Sequence, residues 1–392
     1  MKPSICMIVT EKLPVPPVRG GAIQTYIDGV LPHLSNYFDI TVLGVKDPLL
    51  PGKETRSGVR YVRLLGKNNR ALYENSLRRF FRRNRKAFGW IVVFNRPQYV
   101  PMVQELNPAS RIVLSMHNDM FQPEKLPPSQ AANIVRQLER ITTVSRYVAE
   151  GIHAVVPQAA QKTRVIYSGV DVERFLPRWS PEAVRRSQAI KQKYGLEGKR
   201  VVLLVSRLSA KKGVHLVVEA MQSIKEQFPD VVLLVVGSKW YGGNRMDEYV
   251  RRVHRLAEPL GDAVRFTGYV PQSRVHDFFF TGEMFLCASQ WQEPLARVHY
   301  EAMAAGLPII TTNRGGNPEV IKGQGNGIIL DDWDQPAAFA DAILKLLSDS
   351  DLANQMGRRG RQLAEGRFTW KRVADEWMEV LSMRAGVVVG GH

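Results

Sequence analysis

Short runs rich in Val, Ile and Leu recur along this chain, separated by stretches whose apolar positions fall three and four apart. In the first half SICMIVT, DITVLGV, VRYVRLL, WIVVF, RIVLSMH, ITTVS and TRVIYSGV read as strands, and a helix is predicted from Ala22 to Leu34. The second half repeats the theme with KRVVLLVSR, DVVLLVVGS, AVRFTGYV, MFLCAS, LPIITT and NGIIL. Helices are predicted there over Val214 to Glu226, Met246 to Leu260 and Ser273 to Phe280. Apolar strands alternating with helices signal parallel α/β sheets covered on both faces, and the pattern predicts two of them. The expected domains are 1–172 and 173–367, with a charged, helix-prone lead-in from Asp171 to Gly198. A closing helix places Trp370, Val373, Trp377, Val380 and Leu381 on one face. That face must pack on something, and the helix, 368–384, is assigned to the first domain. The glycine-rich tail from Ala385 is expected to be loose.

Composition narrows the classes. A length of 392 residues suits two or three domains, and 44% hydrophobic with 23% charged residues is ordinary for a globular chain. No apolar run approaches the roughly 18 residues of a membrane span. The start, MKPSICMIVTEKLPVPP, reads as a strand and a loop, not as a cleaved leader, so a cytoplasmic or peripheral protein is expected. Cys6 and Cys287 lie in apolar strand-like segments without ligand-spaced neighbours, which argues against a disulfide framework or a zinc site.

The charge of +17 is uneven: residues 1–172 hold 24 Lys/Arg against 12 Asp/Glu. Between Arg60 and Lys86 ten basic residues face one acid, Glu74. There Tyr73, Leu77, Phe80, Phe81 and Phe88 recur at helical spacing among Arg78, Arg79, Arg82, Arg83, Arg85 and Lys86, which fits a basic amphipathic helix. Residues 70–88 are therefore a candidate contact for an anionic membrane or polymer, the alternative being a solvated helix with its apolar side in the core. Nucleic acid is not expected, because only charge speaks for it and no binding motif is present.

The chemistry concentrates in EPLARVHYEAMAAGLPIITTNRGGNPE, where Glu293 and Glu301 stand eight positions apart. Pro294 breaks regular structure, and Ala296 to Ala305 is rich in helix formers, so a helix starts between the two acids. Eight residues of helical rise span at most ~12 Å. The free amides and positive dipole end of that helix favour an anion between the carboxylates. A nucleoside diphosphate sugar has that layout of hydroxyls, phosphates and hydroxyls. Arg207 and Lys212 follow the strand VVLLV, where ligands of open α/β sheets bind, and both suit a diphosphate. The fingerprint G-x-G-x-x-G is absent after SICMIVT, which argues against a dinucleotide oxidoreductase.

These motifs, with the Gly-Gly turn in VPPVRGGAIQ, the histidine of SMHND, the VIYSGVD junction and SRLSAKKG, resemble the retaining glycosyltransferases of family 4 over essentially the whole length. The resemblance implies the GT-B fold, two Rossmann-like domains facing each other across a cleft. It implies that Glu293 holds donor hexose hydroxyls and Glu301 the ribose. The amides of Leu295, Ala296, Arg297 and Val298 would receive hexose and phosphate oxygens, and Arg207 and Lys212 the departing diphosphate. It further implies that Gly20 and Gly21 line the donor phosphates and acceptor site, and that His117 contacts the hexose. Ser145 and the Ser168 to Asp171 junction read as architectural. The family's usual Phe-Gly before the helix is Leu295-Ala296 here. No metal or other cofactor is implied, and Asp331, Asp332 and Asp334 of DDWD read as a loop. The expected activity is hexosyl transfer from a nucleoside diphosphate sugar to a hydroxyl of a glycan, lipid or protein. A second reading, from a different class, is a coat-building or scaffold protein that keeps the fold without turnover.

Overall fold

The computed structural model describes residues 2–84, 87–239 and 246–382, and the chain divides into two compact units. One holds the chain up to Gly169 and again from Trp370; the other is Val170–Thr369. The changeovers fall at Gly169–Val170 and Thr369–Trp370. Val170 bridges to Thr369 and its amide donates to the Phe368 carbonyl at 2.7 Å, which ties both strands of the junction into the second unit.

The first unit is built on β1 (Ser4–Ile8), β2 (Asp39–Val45), β3 (Lys53–Arg56), β4 (Val59–Leu64), β5 (Trp90–Phe94), β6 (Arg111–Met116), β7 (Arg140–Thr143) and β8 (Thr163–Val165). They form one sheet in the order β3-β4-β2-β1-β5-β6-β7-β8, parallel except for β3 against β4. The period of two along the strands sends Cys6, Ile8, Leu43 and Val45 to one core and Ile5, Met7, Val9, Ile40 and Val42 to the other. Helix Ala22–Leu34 covers the second face together with helix Trp370–Ser382, which brings in Val373, Ala374, Trp377, Val380 and Leu381. Trp377 is buried, and its Nε1 donates to the Tyr26 hydroxyl at 2.7 Å, so the polar end of each ring is satisfied by the other. The closing helix thus completes the first unit's core. Residues 383 and 384 of the expected helix, and the tail after them, lie outside the described residues.

The basic segment forms helix Arg70–Arg83, started by Asn69, whose side chain accepts from the Leu72 amide. Its apolar side is not available to an interface. Tyr73, Leu77, Phe80 and Phe81, with Phe88, pack into the core beside β1, β2 and β5. The alternative of insertion into a membrane by these residues is therefore corrected: burying them in the protein already removes their apolar surface from water. Arg78 pairs with Glu74 and Glu105, while Arg79, Arg82 and Arg83 are exposed; Arg85 and Lys86 lie outside the described residues.

The second unit carries β9 (Arg200–Val205), β10 (Val231–Val236), β11 (Val264–Phe266), β12 (Met284–Cys287), β13 (Ile309–Thr312) and β14 (Gly327–Leu330). They form a wholly parallel sheet in the order β11-β10-β9-β12-β13-β14. Each unit has a switch point, where the chain leaves neighbouring strands in opposite directions: β1 beside β5 in the first, β9 beside β12 in the second. Open α/β sheets bind ligands at the carboxyl ends of such strands. The lead-in from Asp171 contains helix Pro181–Tyr194, capped by Ser180 and ended by Gly195 in the left-handed conformation.

Candidate functional site

In the second unit, the loops after β9 and β12 meet at the switch point. After β9 the chain passes Ser206 and the exposed Arg207 into a short turn, Ala210–Lys212. Gly213 follows at φ +64°, and a side chain there would stand 2.1 Å from the Ala288 carbonyl. That close approach, with the Gln290 amide donating to the Lys211 carbonyl at 2.8 Å, presses the turn against the loop after β12. Lys212 is thereby brought onto Glu293. Its Nζ donates to both carboxylate oxygens, at 2.8 and 2.6 Å.

Glu293 receives two further bonds, from Ser289 Oγ at 2.5 Å and from Trp291 Nε1 at 2.9 Å, both on Oε2. Burial pushes its carboxyl upward, but Lys212 beside it and the Ser289 and Trp291 donors hold it below the ordinary range. A carboxylate so held stays ionised and fixed in direction. Ser289 and Trp291 were not singled out in the sequence, although they stand four and two positions before Glu293 in the same strand-end loop.

The helix that begins between the acids runs Val298–Ala304. Just before it, the Ala296 amide donates to Asn317 Oδ1 at 3.0 Å. Of the four amides expected to meet donor oxygens, that of Ala296 is already bonded within the protein. Ala296 does not need glycine's latitude, since among the described residues only Ser57, Asn68 and Asn95 are non-glycine residues at positive φ. Glu301, 7% exposed, faces Arg297 Nη2 across 3.6 Å. Burial raises its carboxyl above the usual value, and Arg297 and Arg174 offset only part of that. The two acids are thus separated in character, one carboxyl held below its ordinary range and the other raised above it.

In the first unit the switch point carries Glu11 after β1 and Arg96 after β5, joined by two bonds at 2.8 and 2.7 Å. Burial raises the Glu11 carboxyl, and Arg96 more than reverses it. Asn95, buried at φ +54°, accepts from the amides of His117 and Asn118 at 3.1 and 2.9 Å, which fixes the chain at the end of β6. The His117 ring is buried against the edge of Tyr26, centroids 4.7 Å apart. Thr142 Oγ1 donates to Ser115 Oγ, and Ser115 Oγ lies 3.1 Å from His117 Nε2. Gly20 and Gly21 enter helix Ala22–Leu34 at φ +77° and +106°. Glu11, Asn95 and Arg96 were missed in the sequence, where an isolated acid and an Asn-Arg pair carry no pattern.

The residues read as architectural sit in caps and turns. Ser145 Oγ accepts from the Val148 amide, and Asp171 Oδ1 from the amides of Glu173 and Arg174. Among the described residues no group of three His, Cys, Asp or Glu is arranged to hold a metal ion. Both cysteines are buried free thiols. No helix among the described residues is long and apolar enough to cross a membrane.

Two Rossmann-like units with parallel sheets give the chain the GT-B fold. Residues 186–363 match the family described as glycosyl transferases group 1, and the chain belongs to that family. Among individual proteins it is similar to Spore coat protein SA of Bacillus subtilis (strain 168), at 42% identity over 376 residues, 96% of this chain and 98% of that protein. It is also similar to a GDP-mannose-dependent alpha-(1-6)-phosphatidylinositol monomannoside mannosyltransferase of Mycolicibacterium smegmatis (strain ATCC 700084 / mc(2)155), at 29% identity, covering 96% of this chain and 98% of that one. The crystal structure of Anabaena Alr3699/HepE in complex with UDP and glucose shares the fold, with a TM-score of 0.76 at 19% identity, covering 96% of this chain and 99% of that chain.

Proposed function

We propose that this glycosyl transferase moves a hexosyl unit from a nucleoside diphosphate sugar to an acceptor hydroxyl with retention of configuration and without a metal, as a member of family 4. The observation that carries the reading is the ionised Glu293, fixed by Lys212, Ser289 and Trp291 one helix start away from Glu301. Glu293 takes hexose hydroxyls, Glu301 takes the ribose, and the first-turn amides lie between them for the diphosphate. Arg207, with Lys212, stabilises charge that grows on the diphosphate as the glycosidic bond breaks. Residues 173–367 form the donor domain and 1–172, with the closing helix, the acceptor domain; His117, Gly20 and Gly21 take their hexose and phosphate roles from the family resemblance. The leaving phosphate accepts the acceptor's proton, so no protein nucleophile is needed.

The test is a thermal-shift screen against UDP, GDP, ADP and their sugars with a chelator present, followed by NMR of the product's anomeric configuration. Binding to one nucleotide series and an unchanged anomer are expected. Strict dependence on a divalent ion, or inversion, would overturn the respective part. Arg207→Ala should lower kcat more than donor affinity; normal kcat with only a raised KM contradicts its role.

A second reading is favoured by the likeness to Spore coat protein SA: a coat-associated structural protein, in contact with spore coat proteins, that keeps the fold without turnover. Failure to release nucleoside diphosphate from any of the donors, with binding retained, would select it.

A further inference from the structure

The loop that follows β13 closes back on the segment carrying Glu293. Gly315 N donates to Gln292 Oε1 at 2.6 Å, and Gly316 N to the Glu293 carbonyl at 2.8 Å. Gly315 stands at φ +57°, and a side chain there would lie 2.1 Å from the Glu293 carbonyl, so the two backbones touch. Asn317 then reaches the other end of the segment. It is 0% exposed, its Oδ1 accepts from the Ala296 amide, and its Nδ2 lies 3.9 Å from Cys287 Sγ. From the opposite side His299, also buried, places Nδ1 2.9 Å from the Ala296 carbonyl and Nε2 2.8 Å from Thr311 Oγ1. The polar groups on both sides of Ala296 are therefore held, its amide by Asn317 and its carbonyl by His299.

We infer that Asn317 is a positioning residue for the donor: by holding the Ala296 amide it fixes the backbone that leads from Glu293 into the helix starting at Val298. This rests on the proposed function, because it assigns the segment's purpose to a diphosphate sugar. Without the Asn317 oxygen the Ala296 N–H is a buried donor lacking its partner, and such groups move to find one. The helix start would then lose its fixed direction, and with it the placement of the first-turn amides. The same bond keeps the Ala296 amide from donor oxygens, so the phosphate contacts fall to later positions.

The experiment compares Asn317→Ala with the full wild-type chain, reading amide hydrogen exchange and calorimetric affinity together. Exchange at 295–298 should quicken in the variant, and affinity for the best of UDP, GDP and ADP should fall about tenfold, the worth of one neutral hydrogen bond. Affinity for the matching nucleoside should not change, a split that general loosening of the fold would not produce. Asn317→Asp, which keeps an acceptor at the same reach, should restore slow exchange. Should Asn317→Ala not fold, Asn317→Ser, whose hydroxyl falls short of Ala296, carries the same comparison. A folded variant that binds the diphosphate like wild type overturns the inference, whatever its exchange. A wild type that binds none of the three diphosphates overturns the functional reading instead, while the exchange data still report whether Asn317 holds the segment.

Discussion

Burial raises the carboxyls of both Glu293 and Glu301, yet their net shifts are opposite because Lys212, Ser289 and Trp291 donate to Glu293. Glu293 is paired with Lys212, so removing the lysine strands a buried carboxylate. Lys212→Ala should cost about 3–5 kcal/mol in denaturant unfolding, and adding Glu293→Gln should recover most of it, because the uncompensated charge goes with the acid. An activity loss in Lys212→Ala alone must therefore be read beside its stability. Glu301 has a raised carboxyl pKa, so the folded chain bears a cost for its charge at pH 7 that the unfolded chain does not. Glu301→Gln should raise the melting temperature at pH 7, and the gain should shrink as pH falls through the raised value towards the ordinary 4.5, where the wild-type acid is itself neutral. The same substitution should weaken nucleotide binding by about 1.5–3 kcal/mol in calorimetry, the worth of a charged acceptor. Stability gained and affinity lost in one variant would mark Glu301 as a site residue. None of this partnering was legible in the sequence: Lys212 and Glu293 are joined only by the fold, and Asn317 was one more polar residue in a glycine loop.

Among the elements, regular apolar runs were read well and polar ones were not. DITVLGV and Ala22 to Leu34 match β2 and the first helix to the residue. Strand β3, with the sequence KETR, was missed because it lies at the sheet edge, mostly exposed, with no buried face to impose an apolar period. The basic helix shows the limit from the other side, since periodicity gave its face but not what covers the face. Because that face is core, Leu77→Ala should destabilise the first unit by roughly 2–5 kcal/mol in denaturant unfolding. Arg79→Gln, Arg82→Gln and Arg83→Gln should each stay within about 0.5 kcal/mol of wild type. A mild Leu77→Ala would mean that the helix packs more loosely than its burial indicates.

For the molecule as a whole, the two sheets and the closing helix were legible because long parallel strands leave continuous Val, Ile and Leu runs, and because Trp370 and Trp377 mark a face in need of cover. The first unit is discontinuous in sequence, since its last helix follows the whole of the second unit. Ending the chain before Trp370 should leave the second unit's unfolding transition in place and lower that of the first, observable by calorimetry with limited proteolysis to tell the two apart. Loss of both transitions would instead make the closing helix a requirement of the entire chain. The discontinuity also orders events on the ribosome. At about 5–20 residues per second, the roughly 200 residues of the second unit delay the closing helix by about 10–40 s. Through that interval the nascent first sheet holds Tyr26, Ile27 and Val30 without Trp377 over them. The emerging chain then carries an apolar face in water until its closing helix is made.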